Sequence, residues 1–67
     1  MTATELHHRI RLLQLERLEA HEIGLLAHAQ YRRDLENELA ECRAAFVGAA
    51  VTEIAVLRAD LSGRLLG

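Results

Sequence analysis

IGLLAHAQY, residues Ile23–Tyr31, decides whether this chain folds as one long helix or two. The stretch contains no Asp, Glu, Lys or Arg, and it holds Gly24, one of only four glycines. Proline is absent throughout. Both flanks are rich in strong helix formers, whereas Gly is among the weakest. Acids resume at Asp34, Glu36 and Glu38, as the positive end of a second helix dipole favours. A break here predicts helix 1 over about residues 4–23, a connection over about 24–29 and helix 2 over about 30–61. A short connection makes neighbouring helices antiparallel. The expected fold is therefore all-α, a two-helix antiparallel hairpin whose second helix is the longer. The alternative is one continuous coiled-coil helix.

The ends carry their own signals. Thr2-Ala3-Thr4-Glu5 fits a capping box, with Thr2 as N-cap and Glu5 three residues on. Thr4 is the alternative N-cap. Ser62-Gly63 reads as the stop of helix 2, since Gly tolerates the left-handed conformation beyond a C-cap. Arg58 and Arg64 lie near that end, where the dipole favours cations.

Helix 2 carries the stripe Leu35, Leu39, Cys42, Phe46, Ala50, Ile54, Leu57 and Leu61, with steps of 4, 3, 4, 4, 4, 3 and 4. The mean step exceeds 3.6, so this stripe is not a sustained heptad, which argues against the continuous coiled coil. Helix 1 is less regular. Leu6, Ile10, Leu13 and Ala20 share one side, while Leu12, Leu15 and Leu18 drift to another that one hairpin partner cannot cover.

Lengths then matter. At 1.5 Å per residue, a helix of about 20 residues spans ~30 Å and one of about 32 spans nearly 50 Å. Folded back from the connection, helix 2 overhangs from near residue 50. The overhang is led by RAAFVGAAVTEIAVL, Arg43–Leu57, whose apolar residues go all the way round. A helix apolar on every side is buried on every side. The expectation is self-association, most simply a homodimer forming a four-helix bundle. Phe46, Ala50, Ile54 and Leu57 are the expected anchors, with Val47 and Val51 opposite and Leu61 continuing the surface.

Bulk properties agree with a protein that needs a partner. Sixty-seven residues allow one small domain, and chains this short are marginal alone. Disulfides, a metal, oligomerisation or very good helix packing are the usual supports. Cys42 is the only cysteine, so no internal bridge forms, and a lone thiol points to a reducing, cytoplasmic setting. The first five residues lack the basic-then-apolar pattern of a signal peptide. Net charge is −2 with mixed signs, which offers no basic patch for nucleic acid. All eight cations are Arg, and Ala and Leu supply 24 residues, a bias that fits a GC-rich genome.

YRRDLENEL, followed by RAAFVGAAVTEIAVLRADLSG, resembles a set of small helical proteins of actinobacteria and their phages. The likeness covers roughly residues 24–67 and rests on Tyr31, Asp34-Leu35-Glu36, Phe46-Val47-Gly48 and Val51-Thr52-Glu53-Ile54. These are packing residues. The resemblance implies a helical fold and an origin, and it supplies no activity, cofactor or site residue.

Candidate chemistry is sparse. His7, His8, His21 and His28 are many for so short a chain. Glu5 and His8 have the Glu-x-x-His spacing of di-iron bundles, but such sites need two of these elements plus two further glutamates facing a core. Glu5 and His8 do not share the Leu6/Ile10/Leu13 face, so no metal or other cofactor is expected. Cys42 lies on the apolar stripe, where an inert buried thiol is usual. Two helices offer no concave pocket, which argues against an enzyme. Arg9, Arg11, Arg17, Arg32 and Arg33 interleave with acids as on a solvated face, so nucleic acid is not expected as a partner. AAFVGAAVTEIAVL is too short to span a membrane and is interrupted by Glu53. Glu53 and Asp60 stand on the continuation of the packing side. They are expected at its rim or, for a sharper role, in an inter-chain ion pair with Arg9, Arg17 or Arg58.

The expected function is a non-enzymatic structural or protein-interaction module, working through homo-oligomerisation or by docking on a larger protein. The alternatives are a metal- or ligand-binding four-helix bundle using His and Glu, and a small regulator that binds nucleic acid.

Overall fold

The computed structural model describes residues 1–66, with side chains to residue 63. Helix α1 runs Ala3–Glu22 and helix α2 runs Ala29–Leu66, joined by a 3-10 turn at Leu25–Ala27. The protein is an antiparallel helical hairpin with no strand among the described residues.

α1 opens on the capping box. Thr2 Oγ1 accepts the Glu5 N–H at 3.1 Å, and Glu5 Oε1 accepts the Thr2 N–H at 3.4 Å. Two amide donors that a helix start leaves without partners are thus engaged. α1 ends where Ile23 donates to the Glu19 carbonyl at 3.1 Å and Gly24 donates to the His21 carbonyl at 3.2 Å. Gly24 has φ +83°, the left-handed region that Gly enters at little cost. No atom lies within 4 Å of a Cβ built there, so backbone conformation, not space, is what Gly24 supplies. The break therefore falls at the residue that the uncharged stretch points to.

α2 starts within a residue of the expected position, but without the acids expected at its start, and its far end differs from expectation. Its first turn contains no acid, because the helix starts at Ala29 and the nearest acid, Asp34, is beyond the first turn. Asp34 instead accepts a hydrogen bond from Gln30 Nε2 at 2.8 Å. At the other end α2 continues through Ser62-Gly63 to Leu66. A Gly inside a helix costs about 1 kcal/mol relative to Ala but leaves the i→i−4 ladder intact, and no proline follows to end it. The side chain of Arg64, expected near the helix end, lies outside the described residues.

The core is narrow. Leu6, Ile10, Leu13 and Ala20 of α1 and Leu35 and Leu39 of α2 are buried, and Leu13 is only 1% exposed. Leu26, Tyr31, Cys42 and Phe46 pack around this centre. Polar contacts bracket it. Tyr31 Oη donates to Glu16 Oε1 at 2.9 Å, and Arg9 pairs with Glu38. His7 sits against Phe46, ring centroids 5.9 Å apart and planes tilted by 45°. The Ala3 N–H donates to Glu53 Oε1 at 3.3 Å. As the α1 partner falls from 16 to 9, 7 and 3, the α2 partner rises from 31 to 38, 46 and 53, which is the antiparallel pairing itself.

Glu53 is also where the pairing stops. α1 has 20 residues and α2 has 38, so α2 is longer by ~27 Å at 1.5 Å per residue. The hairpin measures 59 × 16 × 12 Å, and its long dimension is that of α2 alone.

Candidate interaction surface

The overhang inherits its character from the sequence. In the paired part of α2 every third or fourth side chain is apolar and meets α1. Past Glu53 the pattern continues but nothing lies opposite: Ile54, Leu57 and Leu61 are 50, 58 and 47% exposed. Val47 and Val51, before Glu53, are 59 and 62% exposed. Val56 is as bare.

The expected interface residues separate into two groups. Phe46 and Ala50 are half-buried, and Phe46 belongs to the hairpin's own packing, against His7 and the core. Val47, Val51, Ile54, Leu57 and Leu61 stand free of α1. Within that free set lies a pattern beyond the expected anchors. Ala40, Ala44, Val47, Val51, Ile54, Arg58 and Leu61 follow one another in steps of 4, 3, 4, 3, 4 and 3. All seven are exposed. This is a second stripe, turned by about 100° from the hairpin face because Val47 follows Phe46 by one residue. The signal was present in the spacing, and the longer stripe through Phe46 masked it by sharing Ile54 and Leu61.

α1 adds a smaller bare area on its outer side. Leu12, Leu15 and Leu18 are 46, 56 and 55% exposed. Their steps of three carry them away from Leu13 and into a face that also holds His8, Arg11, Glu19 and Glu22.

The whole molecule exposes more surface than its mass requires. Its accessible area is 5321 Å². A compact monomer of its mass, 7.5 kDa, exposes ~4,250 Å² by the usual area–mass scaling. Its radius of gyration is 17.3 Å, against ~11 Å for a compact domain of the same length.

Among the described residues the polar groups stand apart from one another or in pairs. Glu5 is engaged with Thr2, which takes it out of the Glu-x-x-His pair with His8. Among the described residues no group of three His, Cys, Asp or Glu side chains is placed to hold a metal ion. Cys42 is a free, half-buried thiol. No pocket opens among the described residues. No helix of the described residues is long and apolar enough to cross a membrane. The Arg9 guanidinium, hydrogen-bonded to Glu38 and held by its charge, has its pKa raised. The Tyr31 phenol is raised too, chiefly because it donates to Glu16.

Within the chain, Glu53 accepts from the Ala3 amide at the start of α1. Arg9 pairs with Glu38 of the same chain. Asp60 is exposed on the overhang.

No protein-family model, curated protein or solved structure matches the chain.

Proposed function

We propose that this protein is a non-enzymatic interaction module that works by self-association, two hairpins forming a dimeric four-helix bundle through α2. One observation carries the reading: α2 extends past its last contact with α1 at Glu53 while keeping an apolar surface with nothing to cover it. Full burial of a Val, Leu or Ile side chain contributes about 1.5–3 kcal/mol. Val47, Val51, Ile54, Leu57 and Leu61 each leave roughly half of that unrealised, about 5 kcal/mol per chain. A core this small supplies about 3–5 kcal/mol, so covering these five side chains, three of them on the overhang, is comparable with the stability of the fold itself. The excess of surface over a compact monomer is ~1,000 Å², close to the ~800 Å² that each partner contributes to a stable interface.

Sedimentation equilibrium of wild type and Val51→Asp tests this. Val51 is the better probe than Phe46, because Phe46 also packs the hairpin and its loss would unfold the monomer. Wild type is expected as a dimer at micromolar concentration, and Val51→Asp as a monomer that retains helicity. A well-folded wild-type monomer would overturn the reading. If docking on a larger protein were the function instead, that same monomer would be the form observed.

A further inference from the structure

We propose that the second stripe on α2 is a coiled-coil seam that receives α2 of a second copy in antiparallel orientation, with the two-fold axis between Val47 and Val51, level with residue 49. This rests on the reading of the chain as a self-associating module and gives it a geometry.

The spacing comes first. Steps of 4, 3, 4, 3, 4 and 3 from Ala40 to Leu61 average 3.5 residues, the repeat that keeps a seam facing a partner helix along a left-handed supercoil. The stripe that packs against α1 averages above 3.6 and lacks this property. Sequence order makes Ala44, Val51 and Arg58 the a positions, and Ala40, Val47, Ile54 and Leu61 the d positions. Val47, Val51, Ile54 and Leu61 are about half exposed or more, so α1 does not occupy the seam. The seam spans the middle and the overhang of α2, where the surplus surface of the molecule lies.

Arg58 sets the direction. In a parallel dimer each a residue meets its own copy, so two Arg58 guanidiniums would face each other within the seam, a like-charge contact that disfavours pairing. In an antiparallel dimer, a residues layer against d residues. With the axis between Val47 and Val51, Val47 meets the partner's Val51 and Ile54 meets the partner's Ala44. Arg58 meets the partner's Ala40, and large side chains face small ones. Gly48 and Ala50 flank the axis and leave room for the backbones to approach. Ala40 gives space to the Arg58 stem, and the partner's Glu41 is one residue along, with the partner's Glu36 about one turn away. Glu36, Glu41 and Arg58 are exposed, and the only ion pair among the described residues is Arg9–Glu38, which lies on the other face. Sliding the pairing by one heptad toward the C-terminus would set Arg58 against Val47 and bring it toward Arg43 instead.

Disulfide trapping distinguishes the arrangements. In a Cys42→Ala background, Val47→Cys and Val51→Cys chains are prepared separately, mixed, refolded together and equilibrated in a glutathione buffer. Cys42→Ser is the second background should Cys42→Ala lower helicity. The antiparallel register places the thiol introduced at position 47 of one chain beside the thiol introduced at position 51 of the other. The mixed disulfide should therefore exceed either symmetric one by about tenfold or more, since thiols on Cα atoms beyond ~7 Å do not bridge. A predominance of the symmetric disulfide between two Val47→Cys chains would mean a parallel seam and overturn the inference. Dimers in the ultracentrifuge that give no disulfide in either combination would place the interface elsewhere, overturning this geometry while leaving self-association standing. A monomer in the ultracentrifuge would overturn both.

Discussion

Glu53 Oε1 accepts the backbone N–H of Ala3 at 3.3 Å, a contact between residues fifty positions apart. It places a carboxylate at the start of α1, where unpaired amides and the helix dipole favour negative charge. Thr2 and Glu5 already engage the neighbouring donors, so Glu53 supplies an acceptor that the local sequence does not. The bond is solvent-exposed. Glu53→Ala is therefore expected to lower stability by about 0.5–1 kcal/mol, and Glu53→Gln by less because an oxygen can still accept. Urea midpoints at low and high salt check this. The difference between wild type and Glu53→Ala should shrink as salt screens the charge. Equal midpoints at low salt would refute it.

Tyr31 gives a pH signature. Its phenol donates to Glu16 Oε1 at 2.9 Å, and its pKa is raised because ionisation would remove that donor beside a carboxylate. A raised folded-state pKa means that the unfolded chain loses its proton first. The contribution of Tyr31 is thus present below the unfolded value of about 10 and is lost as pH rises through the folded value. Wild type should lose stability faster than Tyr31→Phe above about pH 10, while the two should run parallel between pH 7 and 9. Because Tyr31 is the only tyrosine, an absorbance titration of tyrosinate reports this one group. A midpoint at or below that of free tyrosine would contradict the contact.

Gly24 tests what ends α1. With φ at +83° and no atom within 4 Å of a built Cβ, Gly24→Ala meets only the cost of a left-handed backbone. That cost is about 1 kcal/mol. Gly48→Ala is the control: Gly48 lies inside α2 with equally open space, and there Ala is the better helix former by about 1 kcal/mol. Opposite signs for the two substitutions in thermal melts of the monomeric Val51→Asp background are the expected result. Two shifts of the same sign would mean that Gly24 is not acting through its backbone.

These positions also show how far the sequence alone could be read. The capping box, the break at Gly24 and the paired faces through Leu13 and Leu39 were legible because each is local: a cap spans four residues, a turn needs one positive φ, and an amphipathic face repeats within two turns. The end of α2 was not, because Ser62-Gly63 weakens a helix without preventing it. Phe46 was legible in part: it stands four residues after Cys42 on the stripe that meets α1. That His7 packs against it was not legible, because His7 comes near only after the chain has folded back. Glu53 resisted for the same reason, since its partner is a backbone amide and carries no side-chain identity to match. The heptad was within reach of counting, but only exposure separates it from the stripe that meets α1.

The balance between hairpin and interface predicts a contrast in core substitutions. Leu13 is 1% exposed, and its truncation to Ala should cost about 2–5 kcal/mol at every protein concentration, because it removes packing inside each chain. Ile54 is 50% exposed and stands outside the buried core cluster, so Ile54→Ala should hardly move the melting point of a dilute monomer. In a dimer the same change acts through the association equilibrium. Folding linked to association makes the melting temperature rise with concentration, and each tenfold increase is equivalent to about 1.4 kcal/mol in the free energy of association. Wild type should therefore melt higher as it is concentrated, and Ile54→Ala should need a higher concentration to reach the same temperature. Leu13→Ala should lie below wild type by a similar amount throughout. Melting by circular dichroism across a hundredfold range of concentration measures both, and a wild-type melting temperature that does not change with concentration would show that the overhang is bare in the working protein.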